Sequence, residues 1–191
     1  MANPAPGTRI SILCGVLMLV CGLLALVTPL AEPAWTRRVT GSVIFAAGLA
    51  ELVVGLAGPG IERGATDVVL GLLSLAAGLA LLVARNGDAL WLAALLSVWL
   101  LARGATELLG GVAASGAMAG VAAARLFRGS ADLIIGLLAL IGALASVFAE
   151  ILVGWPATIV RMILLLVAAS LMASGGLHIW LALAVRHGRL R

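Results

Sequence analysis

Residues 102–111 read ARGATELLGG, so that Arg103 and Glu107 stand four residues apart inside an otherwise apolar run. On a helix that spacing puts the two side chains within pairing reach. A second glutamate, Glu51, sits in the similar setting GLAEL, and a histidine, His178, sits in GGLHI. Two carboxylates and one guanidinium leave a net charge of −1, which a proton on His178 would bring to zero. An unperturbed imidazole titrates near ~6.5. Glu51, Arg103, Glu107 and His178 thus form a candidate intramembrane polar cluster with two uses. It can lock helices together as an ion-pair network, with Arg103 snorkelling to the interface, or it can titrate. Asp67 and Asp132 are expected to begin the third and fifth helices. There a carboxylate favours the helix N-terminus by roughly 0.3–1 kcal/mol.

Other chemistry is poorly served. The chain has no H-E-x-x-H, no Walker A sequence and no G-x-S-x-G, the patterns that would announce a metalloprotease, a nucleotide site or a serine hydrolase. Ser170 and Ser174 precede His178 on one helix, where a serine ordinarily bonds back to its own backbone. Cys14 and Cys21 are seven residues apart. On one helix that is about 10 Å, too far for a disulfide. No metal-ligand spacing occurs, so the reading is a protein that is not an enzyme and needs no metal or cofactor.

These residues are carried by a chain of 191 residues that is 63% hydrophobic and only 10% charged, with mean hydropathy +1.23. A soluble domain carries about 25% charged residues. Apolar runs cover roughly residues 9–27, 39–58, 66–84, 89–112, 131–149 and 157–185, each long enough for a hydrocarbon core of about 30 Å. Irregular backbone cannot face lipid. The fold class is therefore an all-α membrane protein of six transmembrane helices in one membrane domain. The first run is read as a permanent span and not as a cleaved signal.

An internal repeat organises the spans. At a shift of 56 residues, Gly15, Gly22, Trp35, Gly48, Glu51 and Gly55 fall on Gly71, Gly78, Trp91, Gly104, Glu107 and Gly111. A looser third copy matches DVVLGLLSLAAGLA (67–80) to DLIIGLLALIGALA (132–145) at a shift of 65, and places His178 where the glutamates stood. This gives three tandem hairpins, at about 9–58, 65–114 and 130–185. Parallel hairpins can pack about an axis along the membrane normal, so a pseudo-threefold bundle is expected. The alternative is an open row completed by dimerisation. Gly15/Gly22, Gly71/Gly78 and Gly136/Ala143, each pair seven apart, are expected to pack helices closely.

The glutamates lie sixteen residues after Trp35 and Trp91, about 24 Å along a helix, in the inner third of the bilayer. Trp35, Trp91 and Trp155 would form an interfacial belt on the opposite side. All twelve basic residues are arginine, and seven against four lie on the side of the termini, which favours cytoplasmic termini in a bacterial inner membrane. The stretch 113–130 is expected to be a connection or a helical extension. Its Arg125, Leu126, Phe127 and Arg128 could lie on the anionic surface. The arginines punctuate apolar segments in no dense patch, so the partners are the bilayer and a second copy or another membrane protein, not nucleic acid.

The sequences GVLMLVCGLLALVTP, GLLSLAAGLALLV and GLLALIGALASVF, paired with GLAEL, GATEL and GGLHI, resemble the HdeD-like family of small bacterial membrane proteins over about residues 10–185. The resemblance implies six helices in the inner membrane and an association with acid resistance and the stress response. It brings no catalytic residue. Two functions follow as expectations. One is a non-enzymatic membrane component linked to acid or envelope stress, acting through helix packing or a partner. The other is a proton or small-solute pathway using the cytoplasmic-side carboxylates, with His178 as its pH-responsive group.

Overall fold

The computed structural model describes residues 6–27, 33–57, 61–84, 89–114, 119–152 and 156–186. Its elements are α1 (Pro6–Val27), α2 (Pro33–Ala57), α3 (Ile61–Val83), α4 (Ala89–Ala114), α5 (Ala119–Leu152) and α6 (Pro156–Arg186). All six contain a span long and apolar enough to cross a membrane. Prolines open α1, α2 and α6, where the missing N–H would have no intrahelical partner in any case.

The closest packing is between α2 and α3, α4 and α5, and α6 and α1. Each tight pair therefore joins the second helix of one hairpin to the first helix of the next, and the α6–α1 pair closes the ring. The open row is excluded, and the pseudo-threefold bundle stands. Glycine makes each tight pair. Gly41, Gly48 and Gly55 of α2 oppose Gly78, Gly71 and Gly64 of α3. A Cβ at Gly48 would lie 2.9 Å from the Gly71 carbonyl oxygen, and one at Gly71 would lie 2.9 Å from that of Gly48. Gly104 of α4 and Gly129 of α5 repeat this at 2.7 and 2.8 Å, and Gly15 of α1 and Gly175 of α6 at 2.8 and 2.5 Å. Without a hydrophobic drive between helices in lipid, such backbone approach supplies the dispersion contact that holds them.

The third copy sits differently from the likeness at a shift of 65. That likeness lays Gly71 on Gly136, whereas the packing lays it on Gly129, since these two oppose Gly48 and Gly104. The displacement is one heptad, about 10.5 Å along the axis. Ala122, Gly129, Gly136 and Ala143 recur every seven residues, so small residues alone leave both registers open. The register adopted extends α5 back to Ala119. The 113–130 stretch is accordingly mostly helix, and Arg125 and Arg128 are buried and do not lie on the membrane surface.

The interior has two tiers. Toward the tryptophan end lie Met18, Ile44, Leu81, Leu96, Leu100, Leu164, Val167 and Leu171, all buried. Toward the other end gather the buried charges, with two of the buried serines: Glu51, Asp67, Ser74, Arg103, Glu107, Arg125, Arg128, Asp132 and Ser174.

Candidate functional site: a buried charge network

Arg103 lies near the middle of the α4 span Trp91–Ala114 and has no solvent exposure. It does not snorkel. Its two terminal nitrogens grip Glu51 of α2 as a fork, Nη1 donating to Oε2 at 3.1 Å and Nη2 to Oε1. Bidentate, charge-assisted pairing is the strongest arrangement open to these groups. Nη1 also donates to Ser74 Oγ of α3 at 3.3 Å, and Nη2 to Ser174 Oγ of α6 at 2.9 Å. Nε lies 3.5 Å from Asp132 Oδ2 of α5. One guanidinium thus touches α2, α3, α5 and α6 from α4. The indole of Trp99, one turn before it, stacks 5.4 Å from its carbon and adds cation–π attraction.

Two serines complete the grip. Ser74 Oγ donates to Glu51 Oε2 at 3.2 Å and accepts from Trp99 Nε1 at 3.2 Å as well as from Arg103. Ser174 Oγ donates to the Ser170 carbonyl at 2.8 Å while accepting from Arg103. The serine hydroxyl therefore does bond back to the backbone, and the arginine uses its remaining lone pair.

Glu107 does not depend on Arg103. Its Oε1 lies 3.0 Å from Arg128 Nη1 of α5, and Arg128 Nη2 stands 4.0 Å from Glu51 Oε1. Deeper in the polar tier, Arg125 Nη2 donates to Asp67 Oδ1 at 2.9 Å, joining α5 to α3. The guanidinium crosses α4 at Gly110, where a Cβ would meet Arg125 Nη1 at 2.8 Å. Four carboxylates and three guanidiniums are buried together, leaving one negative charge in excess.

Asp67 and Asp132 are not helix N-terminal. α3 starts at Ile61 and α5 at Ala119, so both lie inside their helices and serve as counter-ions. His178 is half-buried one turn beyond Ser174. Its Nδ1–H donates to the Ser174 carbonyl at 2.8 Å, since a carbonyl can only accept, which leaves Nε2 as the proton-accepting nitrogen. Trp35 and Trp91 are 62% and 41% exposed near the starts of α2 and α4, whereas Trp155 lies outside the described residues.

The tight-pair register explains which residues converge. Three positions after the glycines of the even helices come Glu51, Glu107 and His178; three after those of the odd helices come Ser74, Asp132 and Met18. Ser74, Trp99, Ser174 and the two inward arginines of α5 were the members that sequence reasoning left out of the cluster. A signal for them exists. Arg125, Arg128 and Asp132 fall at i, i+3 and i+7, a single helix face that could not be turned to lipid.

A family model described as a short repeat of unknown function (DUF308) matches residues 13–83 and again 69–141. The matches start 56 residues apart and end 58 apart, the spacings of Gly15 to Gly71 and of Gly71 to Gly129. Each spans three helices and holds one tight pair. No match is found among curated proteins or among solved structures.

Proposed function

The chain belongs to the family of the short repeat of unknown function, DUF308, and from that premise we propose that it is a non-enzymatic protein of the bacterial inner membrane. In this reading it acts in acid or envelope stress through a rigid bundle that a membrane partner or a second copy can dock against. The observation that carries it is the fork of Arg103, at mid-span, on Glu51, tied to five helices and shielded from solvent. Desolvating two ions is costly, and a network of this kind holds only if its geometry is kept. Each carboxylate faces a guanidinium, an arrangement suited to holding helices in one register and poorly suited to a metal ion or a nucleophile. The link to stress and to the inner membrane rests on the resemblance of the hairpins to the HdeD-like family.

The excess negative charge favours a second reading, a proton or small-solute pathway with His178 as its sensor. Proton flux into liposomes holding the purified protein separates the two. The structural reading expects flux equal to protein-free liposomes at pH 5 and pH 7. Flux that is abolished by Glu51→Gln or Glu107→Gln would replace it with the pathway, and loss of its pH response in His178→Ala would name the sensor.

A further inference from the structure

The interface between α5 and α6 is looser than the three glycine-packed ones and holds a cavity of about 480 Å³. That lies within the range of sites for small molecules, roughly 300–1,000 Å³. The apolar walls are mainly alanine, with Ile135 and Leu177, but Arg128, Asp132 and Ser170 also line it. All three are more than nine-tenths buried. Arg128 Nε and Nη2, Asp132 Oδ2 and Ser170 Oγ make no hydrogen bond; the ion-pair neighbours of these atoms are Arg103 Nε, 3.5 Å from Asp132 Oδ2, and Glu51 Oε1, 4.0 Å from Arg128 Nη2. Buried polar atoms are ordinarily satisfied, so four of them on three residues that line one space call for a polar group inside it. At the mouth stand Phe127 and Trp180, 80% and 50% exposed. On a membrane-spanning bundle that exposure faces lipid, so the cavity opens sideways into the bilayer.

Gly176 gives independent support. The glycines at the tight pairs are places where a Cβ would strike backbone, whereas a Cβ at Gly176 meets nothing within 4 Å. Gly176 lines the cavity, and its missing side chain leaves room there. Close packing gives no reason for it.

We propose that the α5–α6 cavity binds a single-chain amphiphile from the bilayer, whose uncharged head both accepts from Arg128 and donates to Asp132. The unused Nε–Nη2 edge of Arg128 is a two-pronged donor. Asp132 Oδ2 only accepts, and Ser170 can do either. The head is uncharged because the network already carries one negative charge in excess and an anion would double it. A protonated fatty acid fits, its carbonyl toward Arg128 and its hydroxyl toward Asp132. A monoacylglycerol offers the same donor and acceptor. The acyl chain passes between Phe127 and Trp180 to the lipid. This inference does not depend on whether the bundle is structural or conducts.

The test uses the full chain in nanodiscs and tryptophan quenching by dibromostearic acid, by its monoacylglycerol and by its methyl ester. Saturable quenching by the acid or the monoacylglycerol is expected, with the Trp180→Phe variant identifying the reporting indole. Gly176→Leu fills the space and Ser170→Ala removes a head partner. Gly176→Leu should weaken binding at least tenfold with an unchanged melting temperature. The acid alone saturating identifies a free fatty acid; the monoacylglycerol alone identifies a neutral glyceride. Quenching that never saturates, or is the same in Gly176→Leu, is bulk partitioning and overturns the site. Equal affinity for the methyl ester, which has no donor, overturns the recognition of the head.

Discussion

Replacing Arg103 by methionine keeps most of the volume and removes the charge. Glu51 would retain Ser74 Oγ at 3.2 Å and the distant Arg128 Nη2 at 4.0 Å, while Asp132 would lose its neighbour at 3.5 Å. Stranding one partner of a buried pair costs about 3–5 kcal/mol. The two serine contacts add little, since interhelical hydrogen bonds in membranes average about 0.6 kcal/mol. The cation–π contact with Trp99 is worth about 2 kcal/mol when desolvated, so the abandoned carboxylate dominates. Adding Glu51→Gln to Arg103→Met should therefore recover part of the loss, because it removes the unpaired charge and keeps a hydrogen-bonding amide. The assay is reversible unfolding in mixed micelles for both singles and the double. The expected coupling is at least about 2 kcal/mol, toward the upper end for interacting residues. A loss below about 1 kcal/mol for Arg103→Met, or additivity of the singles within about 0.5 kcal/mol, would show that the network does not hold the helices.

Gly175→Val should destabilise by about 1–3 kcal/mol or more in the same assay, because its Cβ would lie 2.5 Å from the Gly15 carbonyl oxygen, whereas Gly176→Ala beside it should change nothing measurable. Arg128→Gln leaves Glu107 without its 3.0 Å partner and should cost about 3–5 kcal/mol, with Glu107→Gln restoring a measurable share. Exchanging the charges of the buried pair, Asp67→Arg together with Arg125→Asp, should be less harmful than either change alone, read as melting temperature in nanodiscs. If both singles are milder than the exchange, the α3–α5 pair contributes no attraction.

The spans, the hairpin repeat and the small-residue faces were legible because each depends on local pattern: apolar length, a 56-residue self-match and glycines at heptad spacing. The pairing of those faces was not, because Gly71 and Gly78 could meet any helix that also offers small residues. It is the tertiary closure of α6 on α1 that makes α2 their partner. The candidate cluster was legible at Glu51, Arg103 and Glu107, since a charge in an apolar run must turn inward. Its partners on α5 were misplaced for a single physical reason. The residues 113–130 are so rich in alanine and glycine that no apolar span is evident there, yet alanine is the best helix former. Once α5 extends back to Ala119, Arg125 and Arg128 move from the surface into the bundle and Asp132 moves from a helix start to mid-span.

The charges then acquire a role that glycine cannot fill. Sliding α5 by one heptad would keep small residues opposite Gly104, exchanging Gly129 for Gly136 at little packing cost. It would also carry Asp132 about 10.5 Å from Arg103 and take Arg128 the same distance from Glu107, stranding both in a medium where an unpaired charge is expensive. The two registers are thus close in dispersion and far apart in electrostatics. Buried polar groups are best attested as devices that fix register, and the position of Arg103 suits that use. Its counterparts in the other even helices are Ala47 and Ser174, small enough to leave the centre of the bundle to one guanidinium. Three arginines there would repel one another. One arginine, on one of three equivalent helices, ties α4 to α5 at Asp132, and the Arg128–Glu107 pair fixes the same register.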